Sequence, residues 1–293
     1  NNREANHIFL VNGKLILTES ELNIQNDACF ICDLKTAALE HSSLFENYFT
    51  AQIKDFNDAF AQLNSAMATN GLFIHIASDT VVQKPIQINN ICTSTTNQVF
   101  QTHHIIIAES FSNVSIIETF YSANDDDTYL LNTVSEVSVG QNAFVNYYKL
   151  QSENDKALHV NTTQVEQQQQ SHFDTNTVTL GGKWIRNNLN IVLKGTQCES
   201  HLNGLQLLNK QQHVDNHTLV DHQMPHCESN QLYKGILNDK STGVFNGKIF
   251  VRKDAQKTNA YQSSKNMLLS DDATMNTKPQ LEIYADDVKC SHG

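Results

Sequence analysis

From Leu72 onward, the chain is a succession of short apolar runs separated by polar segments, with no long helical pattern between them. Such runs predict strands at residues 72–77, 85–92, 104–108, 114–118, 129–139, 145–150, 176–180, 189–193, 205–208 and 247–251. So many short strands in one chain are typical of a sandwich, a barrel or a solenoid. The sequence contains no exact repeat, so its periodicity alone does not choose among the three.

The beginning of the chain has a mixed pattern. Short strands are predicted at residues 8–11 and 28–32, with helical spacing after them. We therefore expect two regions, a mixed α/β region at residues 1–70 and a strand-rich core at residues 71–293.

Two helices are predicted in the first region, at residues 35–49 and 55–70. In the second helix, large apolar residues recur at helical spacing and predict the face that packs on the rest of the protein. These residues are Phe56, Phe60, Leu63 and Met67.

The composition argues against several functional classes. The formal net charge is −11 and no basic face is visible, so neither nucleic acid nor an anionic membrane is an expected partner. No apolar run approaches the ~20 residues that span a bilayer. With six cysteines and no visible secretion signal, free thiols in a reducing cytoplasm are expected. A phosphate-binding loop is also missing, so the chain itself is not expected to hydrolyse ATP.

The most informative motif is a Cys-x-His pair at the end of the chain, formed by Cys290 and His292. Residues two apart in a strand point to the same face, so both side chains are expected within reach of one metal or cluster. Two ligands cannot complete a four-coordinate site. The remaining ligands must therefore come from another segment or another chain.

Two other groups of metal-ligand residue types are weaker signals. The Cys29-x-x-Cys32 pair lies within an apolar run and no second pair completes a zinc site, which favours ordinary core residues. Four histidines and a cysteine fall within residues 213–227. In a strand, however, a His-x3-His spacing separates the two histidines by ~13 Å, which favours polar residues along a strand and its turn. The five residues are His213, His217, His222, His226 and Cys227.

The last 17 residues, TKPQLEIYADDVKCSHG, resemble the signature of the SufB/SufD family of iron–sulfur cluster assembly proteins, in its SufD branch. Upstream, the segments at residues 231–237 (QLYKGIL) and 244–249 (VFNGKI) also resemble the family pattern. The cysteine-bearing segment characteristic of SufB is not visible. The resemblance is strongest over residues 200–293.

This resemblance implies a fold and a function. The fold is a right-handed parallel β-helix, an all-β solenoid, flanked by helical segments. The helical domain that follows the C-S-H-G segment in the family, and that docks the ATPase SufC, is expected to be absent from this chain. The implied function is that of a cytoplasmic, non-catalytic scaffold subunit of the SufBCD complex. Without its partners, the chain is expected to be able to form a homodimer through the same end of the β-helix.

The family also implies roles for particular residues. Cys290 and His292 match its C-x-H motif, which implies that a nascent iron–sulfur cluster forms there at the interface with SufB. His292 would bind iron, and Cys290 would support or transiently bind sulfur or iron. His222 and Cys227 also coincide with family positions and are weaker metal-ligand candidates. No tightly bound cofactor is expected in the isolated chain, and no flavin motif is visible.

Two alternatives of other classes remain open. One is a β-helix enzyme acting on polysaccharide, which needs a groove lined by acidic residues and usually a secretion signal. The other is a stand-alone metalloprotein that uses the cluster at residues 213–227.

Overall fold

The computed structural model describes residues 4–20, 28–52, 58–94 and 96–293. Within these residues, the chain forms strands and three short helices. The helices are α1 (Leu34–Glu40), α2 (Ser42–Tyr48) and α3 (Ala59–Met67). The strands are β1 (Asn6–Val11), β2 (Lys14–Leu15), β3 (Cys29–Asp33), β4 (Leu72–Ile76), β5 (Ile86–Cys92), β6 (Gln98–Ala108), β7 (Asn113–Ser122), β8 (Tyr129–Val139), β9 (Phe144–Ser152), β10 (Leu158–Gln167), β11 (His172–Thr179), β12 (Trp184–Leu193), β13 (Glu199–Leu208), β14 (His213–His222), β15 (Glu228–Leu237), β16 (Thr242–Val251), β17 (Asn259–Leu268), β18 (Thr274–Ile283) and β19 (Lys289–His292).

Successive strands alternate between two sheets, which makes the core a parallel solenoid. The odd-numbered strands from β5 to β19 stack in order in one sheet, here called the odd sheet, which β1 and β2 extend. The even-numbered strands from β4 to β18 stack in the other, the even sheet, which begins with β3. Each turn of the solenoid therefore contributes one strand to each sheet. The predicted parallel β-helix is confirmed.

The register of the stacked strands brings like residues together in the interior. One column of the even sheet runs through Val137, Val165, Ile191, Val220 and Ile249, each in register with the next. All five side chains are buried. A full burial of this kind contributes roughly 1.5–3 kcal/mol per aliphatic side chain. A slip of one residue would turn this column to the outside, so the apolar alternation fixes the register.

The corner that leads into the odd sheet explains how the chain turns with few glycines. A non-glycine residue in the left-handed region stands two positions before each odd strand from β7 to β17, for example Asn142 (φ 56°) and Gln170 (φ 56°). Their backbone N–H groups donate to carbonyls of the next turn, at 3.0 Å for Asn142 and 2.9 Å for Gln170. These hydrogen bonds between turns offset the cost of the left-handed conformation.

The N-terminal strands belong to the same two sheets. β1 pairs in parallel with β5, and β3 pairs antiparallel with β4. The predicted division of the chain at residue 70 therefore stays a prediction. Cys29 faces the solenoid core, whereas Cys32, three residues later, lies among the residues that contact α1 and α2. The Cys-x-x-Cys pair is thus divided between two faces of one strand.

The helix predictions need correction. The region predicted as one helix at residues 35–49 forms two helices, α1 and α2, separated at His41, which leaves the helical region (φ −126°, ψ 36°). The second predicted helix begins at Ala59 and ends at Met67. Phe56, part of that prediction, lies outside the described residues.

The predicted packing face of this second helix is wrong. Phe60, Leu63 and Met67 are 41%, 44% and 58% exposed. The helix α3 is instead attached through the buried Asn64, whose amide nitrogen donates to the carbonyls of Thr102 (3.0 Å) and Asn132 (2.9 Å). Periodic apolar residues therefore did not identify the side of the helix that is attached. None of the described helices has the length and apolar character needed to cross a bilayer.

Candidate functional site

Cys290 and His292 lie on β19, the last strand of the odd sheet. β19 pairs with β17, in a register that places Cys290 beside Ala260 and His292 beside Gln262. Ala260 and Gln262 are buried in the solenoid interior. Because in-register neighbours of a parallel sheet point the same way, Cys290 and His292 both face the interior at the end of the solenoid. The structure thus brings the two residues to one face.

The two side chains differ in their environments. Cys290 is half-buried and packs with a small apolar cluster that includes Ala260 and Ala285. Burial raises the pKa of its thiol, partly offset by the backbone N–H of Ala260. His292 is exposed, because no further turn of the described chain covers it. Cys290 is thus a neutral thiol in the isolated chain, and binding a metal would require it to lose its proton.

The edges of both sheets are open at this end. β18 and β19 each have a neighbour on only one side in the described part of the chain. No residue of β18 is buried, and the apolar residues Ile283, at its end, and Tyr284, just beyond it, are 40% and 61% exposed. An open strand edge with exposed apolar residues is a ready surface for strand pairing with another chain.

The described residues do not supply a complete metal site at this end. No group of three or more His, Cys, Asp or Glu side chains in the described ranges is arranged to hold a metal ion. Cys290 and His292 would therefore contribute at most two ligands, and a four-coordinate iron would need others from elsewhere.

The structure separates the histidines at residues 213–227. His213 and His217 lie on the outer face of β14, where His213 stacks on Trp184 and His217 Nε2 lies 2.9 Å from Asp215 Oδ1. His226 lies in the corner before β15, in the left-handed conformation (φ 62°). His222 points to the inner face, because it is an odd number of residues away from His217.

His222 and Cys227 are both buried, but each has a partner of its own. His222 Nε2 lies 2.9 Å from Ser229 Oγ, and burial lowers the pKa of the imidazole to about 4. Cys227 Sγ donates to the carbonyl of Gly195 at 3.3 Å, and the nearby thiol of Cys198 together with burial raises the pKa of Cys227. The metal-ligand role of His222 and Cys227 stays a prediction.

The interior of the solenoid contains a buried ionic cluster that was not predicted from the sequence. Glu118 on β7 is in register with Lys149 on β9, and both face the inside of the solenoid. Glu118 Oε2 accepts a hydrogen bond from Tyr147 Oη at 2.5 Å, and His104 Nε2 lies 3.4 Å from Glu118 Oε1. Burial would raise the pKa of Glu118, but His104, Lys149 and Tyr147 outweigh it and hold the pKa at about 2. Burial lowers the pKa of Lys149 to about 8, although the charge of Glu118 opposes this.

The only signal of this cluster in the sequence is the alternation of β9, in which Lys149 continues an inward row begun by Val145 and Tyr147. The partners come from strands about one turn apart. No local pattern could therefore have assembled them.

Comparison with known proteins agrees with this architecture. Residues 91–293 match the family "SUF system FeS cluster assembly, SufBD core domain", and residues 1–88 match the "SufBD protein N-terminal region". An iron-sulfur cluster assembly SufBD family protein of Synechocystis sp. is 32% identical over 283 residues, which cover 93% of this chain and 62% of the relative.

Two further relatives show the same extent of similarity. The iron-sulfur cluster assembly protein SufD of Escherichia coli is 32% identical over 240 residues, covering 80% of this chain and 56% of the relative. Protein ABCI7, chloroplastic, of Arabidopsis thaliana is 31% identical over 246 residues, covering 82% of this chain and 52% of the relative. The chain thus spans little more than half the length of these relatives. Because the two family matches together extend over nearly all of its residues, the chain belongs to the SufBD family of iron–sulfur cluster assembly proteins.

Proposed function

We propose that this chain is a SufD-type scaffold subunit that pairs with a SufB subunit through the open end of the solenoid. In this proposal the chain catalyses no reaction itself, and the ATPase activity belongs to a SufC partner. The observation that supports it most directly is the position of Cys290 and His292. They share the inward face of an edge strand and are an incomplete ligand set among the described residues.

Iron and sulfide are the substrates of this site. His292 would bind iron through an imidazole nitrogen, and Cys290 would bind iron or sulfur as the thiolate once a nearby cation lowers its pKa. The partner's residues would complete the coordination, and the nascent cluster would be held only transiently. Strand pairing along β18 and β19 would supply the contact area. ATP-driven movement of SufC would then rearrange the interface and expose the cluster.

The same surface predicts how the chain behaves alone. Two copies would associate through the open edges of β18 and β19, and a SufB subunit would displace the second copy. We assign no flavin and no nucleic-acid or membrane partner, and the cytoplasm remains the predicted compartment.

The test is co-expression of the longest available form of this protein with SufB and SufC from the same source. A stable ternary complex that acquires iron and sulfide is the expected result. His292→Ala should leave the complex intact but abolish cluster formation, measured by iron and sulfide content and by visible absorption. His213→Ala is the matched control, because it removes an imidazole from the outer face of the even sheet. An undiminished cluster yield in His292→Ala would refute the role of this residue.

A further inference from the structure

Directly inward from His292, two buried glutamines continue its column. Gln231 on β15, Gln262 on β17 and His292 on β19 are in register, one turn apart each. Gln231 is 3% exposed and Gln262 is 2% exposed. Neighbouring strands lie about 4.8 Å apart, so Gln262 is the nearest inward neighbour of the imidazole.

The amide of Gln262 is hydrogen-bonded to Gln231, its neighbour one turn further inward. Thr218 Oγ1 donates to Gln231 Oε1 at 2.7 Å, and Gln262 Nε2 donates to the same oxygen at 3.4 Å. The amide nitrogen of Gln262 is thus directed down the column, away from β19. Gly247 provides the space, since a Cβ there would lie 2.1 Å from Gln262 Nε2.

The carbonyl oxygen of Gln262 has no hydrogen-bond partner in the described chain. Gln262 Oε1 is buried and unsatisfied. Gly247, which lies against this amide from the even sheet, has no side chain that could donate a hydrogen bond. Buried amide oxygens are almost always hydrogen-bonded, so this one has an unused acceptor position. Gln231 Nε2 is also buried without a partner, but the Gln262 amide presents Nε2 and not Oε1 to Gln231, so the column neighbour on the side of Oε1 is His292, which has a ring N–H to donate.

We propose that Gln262 is a positioning residue for His292: its Oε1 accepts the Nδ1–H of the imidazole and thereby presents Nε2, with its lone pair, to the open end of the solenoid. Histidines that bind metals usually donate their other ring N–H to an oxygen acceptor, which fixes both the tautomer and the ring orientation. The binding of iron by Nε2 rests on the proposed function. The tautomer is a property of this chain alone.

The test is the tautomer of His292 in the isolated chain, read from the ring ¹⁵N chemical shifts. The signals are assigned by their loss in His292→Ala. In the unsubstituted chain at a pH where the ring is neutral, the Nδ1–H tautomer should predominate. Gln262→Met, which keeps the length but removes the amide oxygen, should invert the ratio towards Nε2–H. Gln262→Glu, which keeps an acceptor oxygen, should show the same predominance of the Nδ1–H tautomer as the unsubstituted chain.

A matched control is Gln206→Met, which replaces another buried interior glutamine of the odd sheet outside the column of His292. It should leave the tautomer of His292 unchanged. In the complex with SufB and SufC, Gln262→Met should weaken iron binding about 10- to 100-fold, with recovery in Gln262→Glu.

A predominant Nε2–H tautomer of His292 in the unsubstituted chain would overturn the proposal. This measurement needs no variant, so the proposal can be tested even if Gln262→Met does not fold. An unchanged tautomer in a folded Gln262→Met would overturn it as well. Failure of the proposed function would be seen in a separate measurement. The complex of the unsubstituted chain with SufB and SufC would then take up no iron, while the isolated chain would still show the expected tautomer of His292.

Discussion

Replacing Glu118 by Gln should destabilise the fold severely, although the substitution barely changes the size of the side chain. The carboxylate is fully buried and faces the ammonium of Lys149 at 4.0 Å and the hydroxyl of Tyr147 at 2.5 Å. A neutral amide of the same shape leaves no cavity, so the effect reports electrostatics rather than packing. Removing one partner of a buried ion pair leaves an uncompensated charge, which costs about 3–5 kcal/mol in other proteins.

The pKa of Glu118 gives an independent estimate of the same loss. In the folded protein it is about 2, against an ordinary value of 4.5. Because each pKa unit corresponds to about 1.4 kcal/mol, this difference amounts to roughly 3.5 kcal/mol of folding free energy at neutral pH. Lys149, whose pKa is already lowered to about 8, should then give up its proton near neutral pH, which limits the loss to about this size.

The assay is urea unfolding of the original chain and of Glu118→Gln as a function of pH. A carboxylate with a lowered pKa contributes its full stability above the unfolded pKa and loses it as the pH falls through the folded one. The difference between the two proteins should therefore be constant from about pH 5 up to the pH at which Lys149 of the variant loses its proton, shrink below pH 4.5 and approach zero near pH 2.

The matched control is Glu282→Gln, which removes an exposed partner of Lys248 and should cost less than about 1 kcal/mol. A loss in Glu118→Gln below about 1 kcal/mol, or one that does not change between pH 5 and pH 2, would refute the reasoning.

Further predictions concern the helix attachment, the tight interior and the buried thiols. Asn64→Ala should lower the free energy of unfolding by about 2–3 kcal/mol, because two buried carbonyls and an imidazole lose their hydrogen-bond partner. The control Leu63→Ser, on the exposed side of α3, should change the free energy of unfolding by less than about 0.5 kcal/mol. Equal losses for the two variants in urea unfolding would contradict the attachment of α3 through Asn64. Gly247→Ala should lower the free energy of unfolding by about 1–3 kcal/mol, because the new Cβ would lie 2.1 Å from the amide nitrogen of Gln262. An unchanged melting temperature would exclude this close contact. Cys227, which is fully buried with a raised pKa, should react with thiol reagents only as fast as the protein unfolds; rapid labelling of the native protein would show an opening that the structure lacks.

The strands were predicted best where the interior is apolar. The run at residues 129–139 coincides with β8 (Tyr129–Val139), whose inward row includes the aliphatic residues Leu131, Val137 and Val139. The runs at residues 104–108 and 114–118 identified only parts of the longer strands β6 and β7. The inward rows of these strands contain His104 and Glu118, which interrupt the apolar alternation on which strand prediction depends.

Strands with polar interiors were missed or shortened for the same reason. β10 (Leu158–Gln167) directs His159, Asn161 and Thr163 into the solenoid and was not predicted. These side chains are tolerated because they bond to one another across turns, as Thr163 does with the ammonium of Lys149 at 3.0 Å. A hydrogen bond between turns leaves no local trace, so the pattern resembled a polar loop.

The sequence by itself determined the family, the strand-rich core and the common face of Cys290 and His292. These follow from local properties, because the direction of a side chain in a strand depends only on its own backbone and has a period of two. The tertiary structure alone decided which residues lie above and below one another: Lys149 beside Glu118, Gln262 beneath His292, and Asn64 rather than the apolar face of α3 against the sheet. Each of these neighbours is about 30 residues or more away along the chain, and only the stacking of complete turns brings them together.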